Sequence, residues 1–253
     1  MTLKNTVLAV LAVVALHFGI VTLAGAADDV KTDGLSKFDV EQIIHNYIID
    51  NPQLIMDSVG NLQRKMGSAR QSRELGNNKD ILFKDATSPA VGGTDADVVI
   101  VEFMDYNCHF CKDALPAVNA LLEKDKKIRI VFKDFPILGP TSETAAKWAL
   151  AAQKQKKYFE YHSALMNNKT PIDDALLEKM AKELGMDVEQ AKKDVAGTEI
   201  MLQIEKNRSL ASTLAISGTP AFIIGDEIVP GALPVEALEQ KVAAQRAKKK
   251  DQK

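Results

Sequence analysis

The spacing of apolar residues changes character twice along the chain. Val40, Ile43, Ile44, Tyr47 and Ile48 recur every three to four positions, and Leu54, Ile55, Val59, Leu62 and Met66 resume that spacing after Asn51-Pro52. This rhythm predicts two amphipathic helices over 38–66, the second opened by Asn51 as N-cap and Pro52 at its first position. Residues 67–79 are polar and read as a helical or flexible connector. From residue 81 onward short apolar runs alternate with helical periods. The pattern predicts strands at 81–83, 98–104 and 128–133, with a helix over 108–124 kinked at Pro116. Strand, crossover helix, strand is a βαβ unit with parallel pairing and a right-handed connection. About seventy residues then lack strand character, and 145–166, 173–184, 188–195 and 199–214 carry helical spacing. A strand at 221–224, a Gly225-Asp226 turn, a strand at 228–229 and a closing helix over 235–248 complete the chain.

Neither N-terminal helix can bury its apolar stripe alone, because an isolated short helix gains its stability from a packing partner. Two partners fit: the chain's own larger domain, or a second copy. A detached apolar hairpin before a polar linker suits an oligomerisation module, most simply a two-fold dimer.

The first residues add a location. Lys4, the apolar run 7–23 and Ala24-Gly25-Ala26 read as a cleavable export signal over 1–26. A retained membrane anchor is the competing reading, but His17 and Gly19 interrupt the run and Asp28-Asp29 follow it directly. Export points to a periplasm. The remaining composition is that of a globular protein: 253 residues, 46% hydrophobic, net charge −2. Nothing points to nucleic acid, since the basic run 246–253 is confined to the tail.

The chemistry rests on the two cysteines of the chain, Cys108 and Cys111, in Cys-His-Phe-Cys directly after the predicted strand 98–104. A helix begins there, and the unpaired N–H groups of its first turn favour a thiolate at Cys108 over one at Cys111, a turn further in. A structural zinc would need four ligands, and beyond the cysteines only His45, His109 and His162 remain past the signal, none at finger spacing. A disulfide closing so short a loop removes little chain entropy. Redox exchange is the reading left, with Cys108 as nucleophile and Cys111 as resolving thiol. His109, between them, is placed near the Cys108 sulfur. No metal or organic cofactor is required.

A strand ending in Glu102-Phe103, the Cys-x-x-Cys, a helical insertion and then Gly218-Thr219-Pro220 before a strand resemble the DsbA-type thioredoxin fold of periplasmic thiol-disulfide oxidoreductases. The resemblance covers about 80–248. The N-terminal block is similar to the extensions that make ScsC-like and DsbG/DsbC-like relatives oligomeric, and the whole arrangement to the 27-kDa outer-membrane-protein group. It implies an α/β, thioredoxin-like fold with an inserted helical domain at about 140–214, preceded by a helical dimerisation segment and linker over 27–79, with 249–253 as a tail. It implies a cis peptide at Thr219-Pro220 beside the dithiol, leaving the preceding backbone free for a substrate strand. Threonine there accompanies many isomerases and reductases. Glu102 matches the family's buried acid, placed to take the Cys111 proton, with Lys133 as its expected partner. Leu115, seven after Cys108, departs from the acid found there in DsbA. The implied partners are exported cysteine-containing clients and a DsbB-like or DsbD-like membrane redox protein. A binding protein that uses Cys108 and Cys111 as soft Cu(I) ligands is the alternative, although the methionines are scattered at core-like spacing.

Overall fold

The computed structural model describes residues 34–251, so the leader read over 1–26 lies outside the described residues. The chain divides into two compact units, 1–65 and 66–253. The first holds α1 (Lys37–Asp50) and the beginning of α2 (Pro52–Asn77). Ser36 opens α1 with a reciprocal capping box, its hydroxyl accepting from the Asp39 N–H while the Asp39 carboxylate accepts from the Ser36 N–H at 2.9 Å. Pro52 stands at the first position of α2, as its spacing predicts. Asn51 does something else: its side-chain amide donates back to the Tyr47 carbonyl at 2.8 Å and closes α1. The polar connector is helical, since α2 runs on through it to Asn77. No residue of α1 is buried.

The second unit is built on one five-stranded sheet in the order β1-β3-β2-β4-β5, from β1 (Ala90–Gly92), β2 (Val98–Met104), β3 (Ile128–Asp134), β4 (Ala221–Ile224) and β5 (Glu227–Pro230). β2 and β3 pair in parallel, joined by α4 (His109–Lys124), and every other pair is antiparallel. α4 runs unbroken through Pro116. The βαβ reading therefore holds, but its expected first strand does not: residues 81–83 lie in the short helix α3 (Lys79–Phe83), where Leu82 is buried. Three apolar residues in a row carry no period that separates strand from helix. The edge position belongs to β1, antiparallel to β3 with Ala90 opposite Val131.

Side-chain alternation gives the sheet two apolar faces. Ile100, Met104, Ile130, Phe132, Phe222 and Ile224 face one core, shared with α4 and the insertion. Val101, Phe103, Val131, Ala221 and Ile223 face the other, closed by Leu75, Leu82, Leu210 and Leu214. Between β3 and β4 stand α5 (Pro140–Lys154), α6 (Tyr158–Asn167), α7 (Asp174–Glu183), α8 (Val188–Val195) and α9 (Thr198–Thr213), the predicted helical insertion. Asp173 and Asp187 cap α7 and α8, accepting from Leu176 and Gln190 N–H groups. The single helix expected over 145–166 is two, parted where Lys156 takes a left-handed φ of 60°. Gly225, at φ 64°, makes the β4–β5 turn, and α10 (Val235–Asp251) closes the chain. Among the described residues no helix is long and apolar enough to cross a membrane.

Candidate active site

Two loops meet at one edge of the sheet because β2 and β4 are antiparallel, with Phe103 opposite Ala221. The chain leaving β2 carries the dithiol to the place where the chain entering β4 carries Thr219-Pro220. Cys108 is the N-cap of α4, in extended conformation, and its N–H donates to the Asp105 carbonyl at 3.1 Å. Both cysteines are free thiols, Cys108 at 6% exposure and Cys111 at 1%. The Cys108 Sγ–H donates to the Thr219 carbonyl at 3.1 Å, and the Thr219–Pro220 peptide is cis, as the resemblance implies. A groove of about 420 Å³ continues past this carbonyl, lined by Gln71, Ser217, Gly218, Thr219, Pro220 and Ile228 among others.

The two sulfurs sit in different surroundings. Burial pushes the Cys111 thiol far up, the Cys108 and Glu102 charges push it the same way, and hydrogen bonds from the Asp105 backbone and Thr219 oppose them. Cys111 therefore keeps its proton, while Cys108 stands at the helix end and is the less deeply buried of the two. Glu102 is buried on the sheet face of Phe132 and Phe222, the face against which α4 packs, and desolvation lifts its carboxyl to about 8. A carboxyl poised near neutrality beside a high thiol is suited to taking that thiol's proton.

Lys133 is not its partner. In the parallel register Glu102 stands opposite Phe132 and Lys133 opposite Phe103, so the two side chains leave opposite faces of the sheet. The Lys133 ammonium donates instead to the Ile81 carbonyl (2.8 Å), Ser88 Oγ (2.7 Å) and Asp85 Oδ2 (3.2 Å), with Lys206 on the same carboxylate. His109 points outward, its Nε2 3.2 Å from Asp113 Oδ2 one turn along α4. Leu115 is buried in the core, so no acid of α4 stands at that point.

Three side chains that sequence reasoning passed over lie just before Cys108. Asp105 Oδ1 accepts from the Asn107 N–H, and Oδ2 from the Ile137 and Leu138 N–H groups. Tyr106 is buried with its hydroxyl 3.4 Å from the Tyr158 hydroxyl and 3.3 Å from His162 Nδ1. Tyr158 donates to Asp134 Oδ2 at 3.2 Å. Burial lifts Asp134 to about 7 and lowers His162 to about 3, so the ring is neutral. Asn107 Nδ2 donates to Thr141 Oγ1 and Ser142 Oγ. The signal was three polar residues between a buried strand and a cysteine.

The family model of the DSBA-like thioredoxin domain matches residues 99–243, from β2 into α10. The chain belongs to that family. Residues 37–66 match a second model, the copper resistance protein ScsC N-terminal domain. Among solved structures, a thioredoxin-like oxidoreductase of Silicibacter pomeroyi is 38% identical with a TM-score of 0.65, over 67% of this chain and 98% of that one. A linker-deletion mutant of Proteus mirabilis ScsC is 29% identical with a TM-score of 0.67, over 86% of this chain and 99% of that one. Among curated proteins, a Na(+)/H(+) antiporter NhaA of Salinispora tropica is 29% identical over 60% of this chain, and the chain spans only 24% of its length. A "Probable disulfide bond formation protein D" of Bacillus anthracis is 29% identical over 58% of this chain and 74% of its own. DSBA-like membership accounts for the dithiol, the cis peptide and the insertion together.

Proposed function

We propose that the protein exchanges disulfides with exported, cysteine-containing clients through Cys108 and Cys111, in a periplasm. The observation that carries this is the bond from Cys108 Sγ to the Thr219 carbonyl: this sulfur lies against the backbone just before the cis proline, while its partner is buried more deeply and protonated. In the reducing direction the Cys108 thiolate attacks a client disulfide sulfur. A Cys108–client bond forms, the client's own S–S bond breaks, and the released client sulfur leaves with the electron pair and takes a proton. Cys111 then gives its proton to the ionised fraction of Glu102 and displaces the client from Cys108, so the enzyme is oxidised as the client is reduced. Oxidation of a client dithiol runs the same steps backward. His109, at the first position of α4, tunes this exchange.

The first unit works as a homo-oligomerisation segment that brings Cys108 sites around a shared client. This favours isomerisation, supplied by a DsbD-like reductase, over oxidation recharged by a DsbB-like protein. The domain limits follow: signal 1–26, oligomerisation segment and linker 27–79, catalytic domain 80–248. The match of 37–66 to a copper resistance protein's domain favours one second reading, in which Cys108 and Cys111 hold Cu(I) as a two-sulfur pair. Trapping separates them: Cys111→Ala should accumulate client mixed disulfides in cells that vanish in Cys108→Ser. Cu(I) bound by reduced protein with no client ever trapped would favour the copper reading.

A further inference from the structure

A buried carboxylate ties the loop that carries Cys108 to the segment that follows β3, next to the Asn107 bonds to Thr141 and Ser142. Asp105 is 1% exposed, and three backbone N–H groups converge on it: Asn107 at 2.8 Å on Oδ1, Ile137 at 2.8 Å and Leu138 at 3.0 Å on Oδ2. Its own carbonyl accepts from the Cys108 N–H. Hydrogen bonds to an ionised acceptor are roughly twice as strong as neutral ones, so this carboxylate sets where residues 137–138 stand relative to the nucleophile. What it holds there is apolar and open to solvent. Ile137 is 39% and Leu138 52% exposed, and Phe110, in the first turn after Cys108, is 62% exposed. Among the described residues of the second unit the other exposed large apolar side chains are Met66, Met201 and Leu202, so half of these side chains stand on the segments that Asp105 ties together or that follow directly.

The geometry points to Asp105 as the positioning residue of a client-docking lip: it holds Ile137 and Leu138 beside Cys108 so that a client cysteine flanked by apolar residues is aligned for exchange. This rests on the exchange function proposed above. Extended chain is the occupant that fits, because Asp105 bonds both the lip and the Cys108 N–H, and Thr219, whose carbonyl accepts from Cys108, lines the groove beyond.

Asp105→Asn divides the two roles of the carboxylate. The amide oxygen still accepts from Asn107, while its NH2 faces the Ile137 and Leu138 N–H groups, so the turn persists and the lip is released. The probes are two peptides bearing one cysteine as a mixed disulfide with 5-thio-2-nitrobenzoate, flanked by Leu and Phe in one and by Ser in the other. Reduced full-length protein releases the coloured thiolate as Cys108 takes over the peptide sulfur. For Asp105→Asn the KM of the Leu/Phe peptide should rise roughly tenfold, while that of the Ser peptide moves less than about twofold and the pH profile of the rate holds. The exposed pair Ile137→Ser, Leu138→Ser should reproduce the rise without touching the carboxylate. Asp105→Ala should also shift the pH profile, because the turn before Cys108 is lost. Equal KM for the two peptides in the wild type, or the same loss on both in Asp105→Asn and the serine pair, overturns the proposal. Release of colour no faster from wild type than from Cys108→Ser would instead sink the exchange reading beneath it.

Discussion

The two units differ in what they do with apolar side chains of much the same kind. In α1, Phe38, Ile43, Ile44, Tyr47 and Ile49 stand exposed, and none of its fourteen residues is buried. In β2 all but one of seven residues are buried. A strand inside a sheet finds its cover within its own chain, whereas α1 is specified locally, by the capping box at Ser36 and the Asn51 closure, and its stripe stays uncovered. Apolar periodicity therefore reports that burial is wanted, not where it is supplied. Exposed large apolar side chains continue along α2 at Leu54, Ile55, Val59 and Leu62, a run that soluble monomers rarely leave open.

If the chemistry belongs wholly to the second unit, the largest effect must come from a single sulfur there. Cys108→Ser should lower exchange by about a thousandfold or more, with or without residues 1–66. Alkylation of the reduced wild type at neutral pH should label Cys108 alone, because burial pushes the Cys111 thiol up and Cys111 lies deeper than Cys108. Equal labelling of both cysteines would reverse the assignment.

Removing residues 1–66 tests the other side of the contrast. The shortened chain keeps Leu75 and both sheet faces, so it should fold as a monomer and retain oxidation of small dithiols. It should lose most isomerisation of scrambled substrates, roughly tenfold, since two sites on one client act through effective concentration. Light scattering that finds the longer chain monomeric would remove the case for the first unit as an assembly segment.

How far the sequence reached follows the same divide between local and distant information. Helix ends with their own caps, such as α7 behind Asp173 and α8 behind Asp187, were legible because the signal and the structure lie within four residues. So was the dithiol, whose chemistry depends on a strand and a helix on either side. Ala90–Gly92 was not: three residues, one of them glycine, show no alternation, and only the β3 edge makes them a strand. The face of Lys133 needed the β2–β3 register, which no single strand carries. Asp105 was missed for the same reason, since its Oδ2 accepts from residues more than thirty positions away.

A covered core has a cost of its own, visible as a pH dependence of stability. Glu102 titrates near 8 when folded and near 4.3 in an unfolded chain, so between those values the folded state binds the extra proton. Stability from this group is unaffected below about pH 4 and falls as pH rises toward 8. Glu102→Gln should remove that slope and raise stability at pH 8, relative to pH 4, by about 4–5 kcal/mol, read from urea midpoints at both ends of the window. Asp134, lifted to about 7, contributes with the same sign and remains in the variant, so the difference isolates Glu102. The variant should also hold the mixed disulfide longer, having lost the acceptor for the Cys111 proton. A stability difference that is flat with pH would mean that Glu102 is charged in the folded protein.

The smallest effect concerns His109, the one predicted site residue that behaves like the first unit, exposed and paired only along its own helix. Its ring sits at the start of α4 against Asp113, and an exposed ion pair of this kind adds little stability. The ring nevertheless lies beside the end of the helix where the Cys108 thiolate forms, and whatever stabilises that thiolate makes the disulfide a stronger oxidant. His109→Ser should therefore lower the reduction potential by on the order of 10–30 mV, equivalent to about 1 kcal/mol. Asp113→Asn should shift it the other way, since it removes an anion from the same turn and frees the ring. Both shifts should shrink in high salt, as between exposed charges, and both should be the same in the shortened chain. Potentials that do not move with either substitution would leave His109 as a surface residue and place the tuning of Cys108 in the helix terminus alone.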